Sequence, residues 1–156
     1  MQPADLVAFF DAGVAMIGAS ADADGVPEAF RVWGATLDGA GRVRALVSSN
    51  AVRTFESLRS GPRLSLVFTD VTTFTSVQVK GPVAAGAEPP GPAESALIER
   101  YERTFGDALA QVGHPPALLE SLRPRSVFVV TVAIEELYDQ TPGPRAGRPV
   151  EGVSRG

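Results

Sequence analysis

Three short segments carry side chains that can meet a small molecule. The first is Leu46-Val47-Ser48-Ser49-Asn50-Ala51-Val52-Arg53-Thr54. An apolar run gives way there to residues that start helices. Ser49 or Asn50 is placed as the N-cap of a helix over residues 51–59, stopped by Ser60-Gly61-Pro62. Arg53 then falls in the first turn, where a cation opposes the helix dipole at a cost of about 0.3 to 1 kcal/mol. A capping box would put Glu or Gln in that place. A phosphate seated at the helix start reverses the sign. The free backbone N–H groups, the hydroxyls of Ser48, Ser49 and Thr54, and the Arg53 guanidinium all become favourable together. Without a phosphate, Arg53 points into solvent or pairs with Glu56.

The second segment is Glu28-Ala29-Phe30-Arg31-Val32-Trp33-Gly34-Ala35. Period-two alternation sets Arg31 and Trp33 on one face with Ala29 and Ala35. An Arg beside the only Trp can hold an anion and cover a planar ring, and Gly34 admits a ligand close to the backbone. An Arg stacked on Trp at a surface or subunit contact would be written with the same residues. In the third segment, Phe74 to Gly81, Val77 and Val79 face one way while Ser76, Gln78 and Lys80 face the other. That polar row either reads the edge of a ligand or is the wet side of a half-buried sheet. His114 is the only histidine and sits in Gly113-His114-Pro115-Pro116, a loop context without a nearby carboxylate, so it is not expected to act as a base. No Ser-His-Asp set, HExxH helix, Walker loop or spaced carboxylate pair is present.

The elements that must position these residues follow from periodicity and turn chemistry. Residues 4–11 read as a short helix, with Leu6, Phe9 and Phe10 on one side and Gly13 as its stop. Strands are expected over 14–20, 28–37 and 42–48, separated by Asp24-Gly25 and Asp38-Gly39-Ala40-Gly41. Further strands are expected over 63–69, 74–84 and 126–134. Gly86 to Pro92 reads as a loop, and a long helix over 93–109 aligns Leu97, Ile98, Tyr101, Phe105 and Leu109. Residues 115–122 add a short helical stretch. Six strands joined mostly by hairpin turns argue for an antiparallel barrel, and a doubly wound sheet is rejected because its strict alternation and Gly-rich loop are missing. The organisation is one domain over 1–140 and a Gly/Pro-rich tail over 141–156, extended or partly mobile.

Composition bounds the rest. The chain has 156 residues, 44% hydrophobic and 21% charged, enough for one buried core. Its net charge of −4, with no basic run, argues against a nucleic-acid partner. The absence of cysteine excludes disulfides, thiolate nucleophiles and Cys-based metal sites. No export signal or membrane segment is expected, and a cytoplasmic location is.

In their order and spacing, Gly18 to Pro27, the Arg31 strand, the Arg53 helix, Leu58-Arg59-Ser60-Gly61-Pro62 and Gln78-Val79-Lys80-Gly81 resemble the pyridoxamine 5'-phosphate oxidase-like family. Asp139 to Gly147 is similar to an ending found in relatives of unassigned function. The resemblance implies a six-stranded antiparallel split β-barrel of FMN-binding type, mainly β with flanking helices, and a homodimer holding two flavins between its subunits. It sets Arg31, Ser48, Arg53 and Thr54 near the flavin phosphate and ribityl, with Ser49 beside them. Val32, Trp33, Ser76, Gln78 and Lys80 would border the ring or chain. The match departs at Val52-Arg53-Thr54, where the oxidase has Ser-Arg-Lys, and at Thr36, where it has lysine. The oxidase's C-terminal Arg-and-His motif has no counterpart after Ser126, so oxidation of pyridoxamine phosphate is not expected. The expected function is an FMN-dependent oxidoreductase acting on an unidentified small molecule. The alternatives are a non-catalytic flavin- or haem-holding module and a structural domain with an empty cleft.

Overall fold

Three aspartates begin three hairpins by the same local device. In the computed structural model, which describes residues 5–150, the Asp22 Oδ1 accepts hydrogen bonds from the amides of Asp24 and Val26. Asp38 does the same for Ala40 and Arg42, and Asp70 for Thr72 and Thr73. Such side-chain caps hold the turn without help from the rest of the chain. They join β1 (Ala15–Ala21) to β2 (Pro27–Leu37), β2 to β3 (Val43–Ser48), and β4 (Arg63–Thr69) to β5 (Ser76–Glu88).

Helices fill the gaps: α1 (Asp5–Asp11), α2 (Val52–Ser57) with a 3-10 turn at Leu58–Ser60, α3 (Pro92–Gln111) and α4 (Pro116–Leu122). The chain ends in β6 (Val127–Val132), β7 (Glu136–Asp139) and β8 (Arg148–Pro149). Strand order is β4-β1-β2-β3-β6-β5, and β4 also pairs with β5, so six antiparallel strands close into a barrel. Closure leaves β4 paired on both sides. Inside lie Met16, Phe30, Val32, Val47, Leu66, Phe68, Val77, Val79 and Val130, and α3 packs Tyr101 and Phe105 against the same core.

Two sequence expectations change here. β5 runs on to Glu88, because its second half pairs with β6, so the expected loop shrinks to residues 89–91. β7 and β8 are additional strands: β7 pairs with β5 beside β6, and β8 pairs with β7. The expected tail is tied back as far as it is described, with the Gly147 amide donating to the Asp139 carbonyl and the Val150 amide to that of Leu137. The expected helix start at Ala4 and the last six residues of the tail lie outside the described residues.

Candidate functional site

The predicted site residues divide into three groups. The first lies where β3 hands over to α2. The helix begins after Ala51, which offers no side-chain cap, so the N-cap expected at Ser49 or Asn50 is corrected. The cap comes instead from another strand. The Glu28 carboxylate of β2 accepts from the Thr54 amide at 2.7 Å, the Thr54 hydroxyl at 2.8 Å and the Arg53 amide at 3.3 Å. Since Thr54 spends its one hydroxyl proton on Glu28, the Ser20 hydroxyl, 2.8 Å away, is the donor to Thr54. Thr54 is fully buried, and Ser20 and Ser48 nearly so. Ser49 is fixed by its amide, which donates to the Ser126 carbonyl.

Arg53 extends away from this cluster. Its side chain is 55% exposed and its guanidinium meets Asp22 at 3.0 Å, neither free in solvent nor paired with Glu56. Hydrogen bonds from the Val26 amide and then the Arg53 guanidinium hold the Asp22 carboxyl below its ordinary range. Asp22, Asp24 and Glu56 line a hollow of about 240 Å³ around Arg53.

The second group is Trp33 and its neighbours. Alternation holds through Val32, which is buried, but a bulge between Val32 and Ala35 inserts one residue relative to β3. The expectation that Arg31, Trp33, Ala29 and Ala35 share a face is therefore corrected. Gly34, at φ +128°, supplies the backbone conformation of the bulge. Trp33 is 1% exposed, edge-on to Tyr101 of α3, and its Nε1 donates to Glu102 at 3.1 Å. Arg123 grips the same carboxylate with two donors. The Tyr101 hydroxyl is buried without a hydrogen-bond partner among the described residues. Burial pushes that phenol up, against the opposing charge of Arg31.

The third group lies on the outer face of the barrel. Register sets Arg31, Ile17, Val67, Gln78 and Tyr138 in one line across β2, β1, β4, β5 and β7. A parallel line holds Ala29, Ala19, Ser65, Lys80 and Glu136. Gln78 is held at both ends of its amide, donating to Ser65 and accepting from Gln140, each at 2.8 Å. Lys80 stands over the Tyr138 ring, 5.0 Å from its centroid. Buried Ser76 shares a 2.8 Å hydrogen bond with Thr69. Glu28 and Arg31 leave opposite faces of β2, so the two arginines expected at one phosphate belong to different surfaces.

Glu28, Asp22, Ser65, Glu102 and Gln140 were not among the expected site residues. For Glu28 a signal existed: the Asp-Gly hairpin pairs it with Ser20. His114 is exposed, and no group of three His, Asp or Glu suited to a metal occurs among the described residues.

A closed six-stranded antiparallel barrel with flanking helices defines the split-barrel class. The chain belongs to the pyridoxamine 5'-phosphate oxidase family, whose model matches residues 3–139. No curated protein matches it. Among solved structures, an F420 reductase aligns over 83% of this chain and 93% of its own, with TM-score 0.56 and 17% identity. HupZ of Group A Streptococcus aligns over 94% and 100%, with TM-score 0.55 and 15% identity. A conserved hypothetical protein of Mycobacterium tuberculosis aligns over 99% and 92%, with TM-score 0.51 and 18% identity. These likenesses are of fold.

The family resemblance implies FMN, with its phosphate beside Ser48, Arg53 and Thr54. The α2 corner does not fit a phosphate. Its amides and the Thr54 hydroxyl are taken by Glu28, and its cation by Asp22. A dianion there would face two carboxylates at short range. No helix among the described residues is long and apolar enough to cross a membrane.

Proposed function

We propose that this chain binds a planar small molecule bearing an acidic group on the outer face of β2, β1, β4 and β5, with Arg31 meeting the acidic group. One observation carries the reading. Arg31 is half-buried, and its guanidinium makes no hydrogen bond or ion pair among the described residues. Arg103, Arg125 and Arg148 also make none, but they are exposed and water serves them. A half-buried fork of five donors without an acceptor calls for a partner that the described residues do not supply.

The surroundings suit an elongated, partly apolar ligand. Ile17, 48% exposed, and Val67 lie between Arg31 and Gln78. Three strand spacings separate Arg31 from Gln78, about 14 Å, a span that one such molecule can bridge. Gln78, pinned by Ser65 and Gln140, presents a fixed amide edge, and Lys80 a cation. We include a homodimer in this reading, with a second copy covering Ile17 and Val67. Trp33, Val32 and Ser76, all buried, then support the strands and leave contact with the ligand to Arg31, Gln78 and Lys80.

A redox role is the second reading, favoured by membership of a family named for an oxidation. Flavin and haem are the ligand classes to try, and the protein's part is to hold and orient the ligand. Titration with riboflavin, FMN and haem, followed by quenching and visible absorbance, tests the binding reading. Saturable uptake of FMN or haem, weakened about tenfold or more by R31A, is expected, with riboflavin as the analogue that lacks an acidic group. Equal affinity in R31A would contradict it. Reduction of the bound ligand by a nicotinamide cofactor would then favour the redox role over a holding role.

A further inference from the structure

We infer that Glu28 is a built-in occupant of the α2 corner, a specificity-determining residue that closes this member of the family to a ligand phosphate there. The geometry is that of an anion already bound. One carboxylate takes two successive backbone amides and a fully buried hydroxyl, and Ser20 supports that hydroxyl from behind. These are the donors that the sequence pattern offers to a phosphate.

Charge closes the corner as firmly as shape. Glu28 and Asp22 against Arg53 leave it with one negative charge, and Asp24 and Glu56 add two more around the adjoining hollow. Arg53 is tied to Asp22 on the hairpin that also carries Glu28. A phosphoryl group would therefore have to displace Glu28 and separate Arg53 from Asp22, both against repulsion. The position falls between β1 and α2, so the hairpin register builds the occupant in with the barrel. This inference stands apart from the reading of Arg31, which leaves β2 on the opposite face.

The test measures FMN and riboflavin affinity for the wild-type protein, E28A and E28Q. E28A vacates the corner, and E28Q keeps its volume while removing the charge. FMN affinity is expected to rise about tenfold or more in at least one variant, the worth of one charge-assisted hydrogen bond, while riboflavin affinity stays level. FMN affinity unchanged or lowered in both would overturn the inference. The amide resonances of Arg53 and Thr54 under inorganic phosphate, at matched ionic strength against chloride, give a readout that needs no flavin. A saturable shift in the variants and none in the wild type is expected. A saturable shift in the wild type, or none in any of the three, overturns it.

Discussion

Glu28 caps, from β2, a helix that starts 24 residues later in the chain. Removing its carboxylate strands the amides of Arg53 and Thr54 and the buried Thr54 hydroxyl. E28A should lose about 2 kcal/mol of stability, a fall in melting temperature of about 4 to 8 °C for a chain of this size. A thermal melt checks it, and an unchanged midpoint would show that the corner is not held by this residue. Arg53 should behave oppositely. Its ion pair with Asp22 is exposed, so R53A should leave the midpoint within what about 0.5 kcal/mol produces, and ligand affinity level. W33F should cost about 2 kcal/mol, through lost volume and the lost donor to Glu102. If W33F instead left stability intact and changed ligand affinity, the ring would belong to the binding surface rather than to the packing of α3.

Among the elements, the strained or crowded ones are few and definite. G34A would force a side chain onto φ +128° and bring a Cβ within 3.2 Å of Leu97 and 3.3 Å of Leu46. A loss of about 1 to 3 kcal/mol is expected. G81A is more severe, because the new Cβ would overlap the Ala133 carbonyl oxygen, part of the backbone that passes from β6 to β7. Denaturant midpoints should order wild type above G34A above G81A, and the reverse order would contradict the assigned crossing. The hairpins were legible in the sequence because Asp22, Asp38 and Asp70 cap turns from within them. The amphipathic run of α3 was legible too, with Leu97, Tyr101, Phe105 and Leu109 all buried. The bulge at Trp33-Gly34 was not, since it exists only against the register of β3. β7 was hidden for a similar reason: four residues acquire strand geometry by pairing with an edge of β5 nearly sixty residues earlier. Within the site, Gln78 and Lys80 were read correctly onto one face because alternation is local. The partnership of Glu28 with Thr54 is long-range, and Arg53 alone drew attention to the corner.

For the molecule as a whole, the carboxylates set its response to acid. Hydrogen bonds and cations hold Asp22, Asp38, Asp70, Glu94, Glu136 and Asp139 below their ordinary values of 3.8 for Asp and 4.5 for Glu. A folded-state value below the unfolded one stabilises the fold above the unfolded value, and that stability is lost as pH falls through the folded one. Stability should hold down to about pH 5 and decline from about 4.5 downward. Tyr101 works at the other end. Its pKa is raised above 10.0 by burial, so its contribution is complete below that pH and is lost as pH climbs beyond it. Melting midpoints across pH check both arms; a midpoint that rises as pH falls from 5 to 3 would contradict the first.

The most direct test of the account is a binding titration of wild type and R31A with riboflavin, FMN and haem, each followed by its own spectrum. Saturable binding of FMN or haem to the wild type, weakened about tenfold or more by R31A, is the predicted result, with riboflavin as the analogue without an acidic group. Failure of both FMN and haem to bind, or uptake indifferent to the loss of the Arg31 guanidinium, would contradict it.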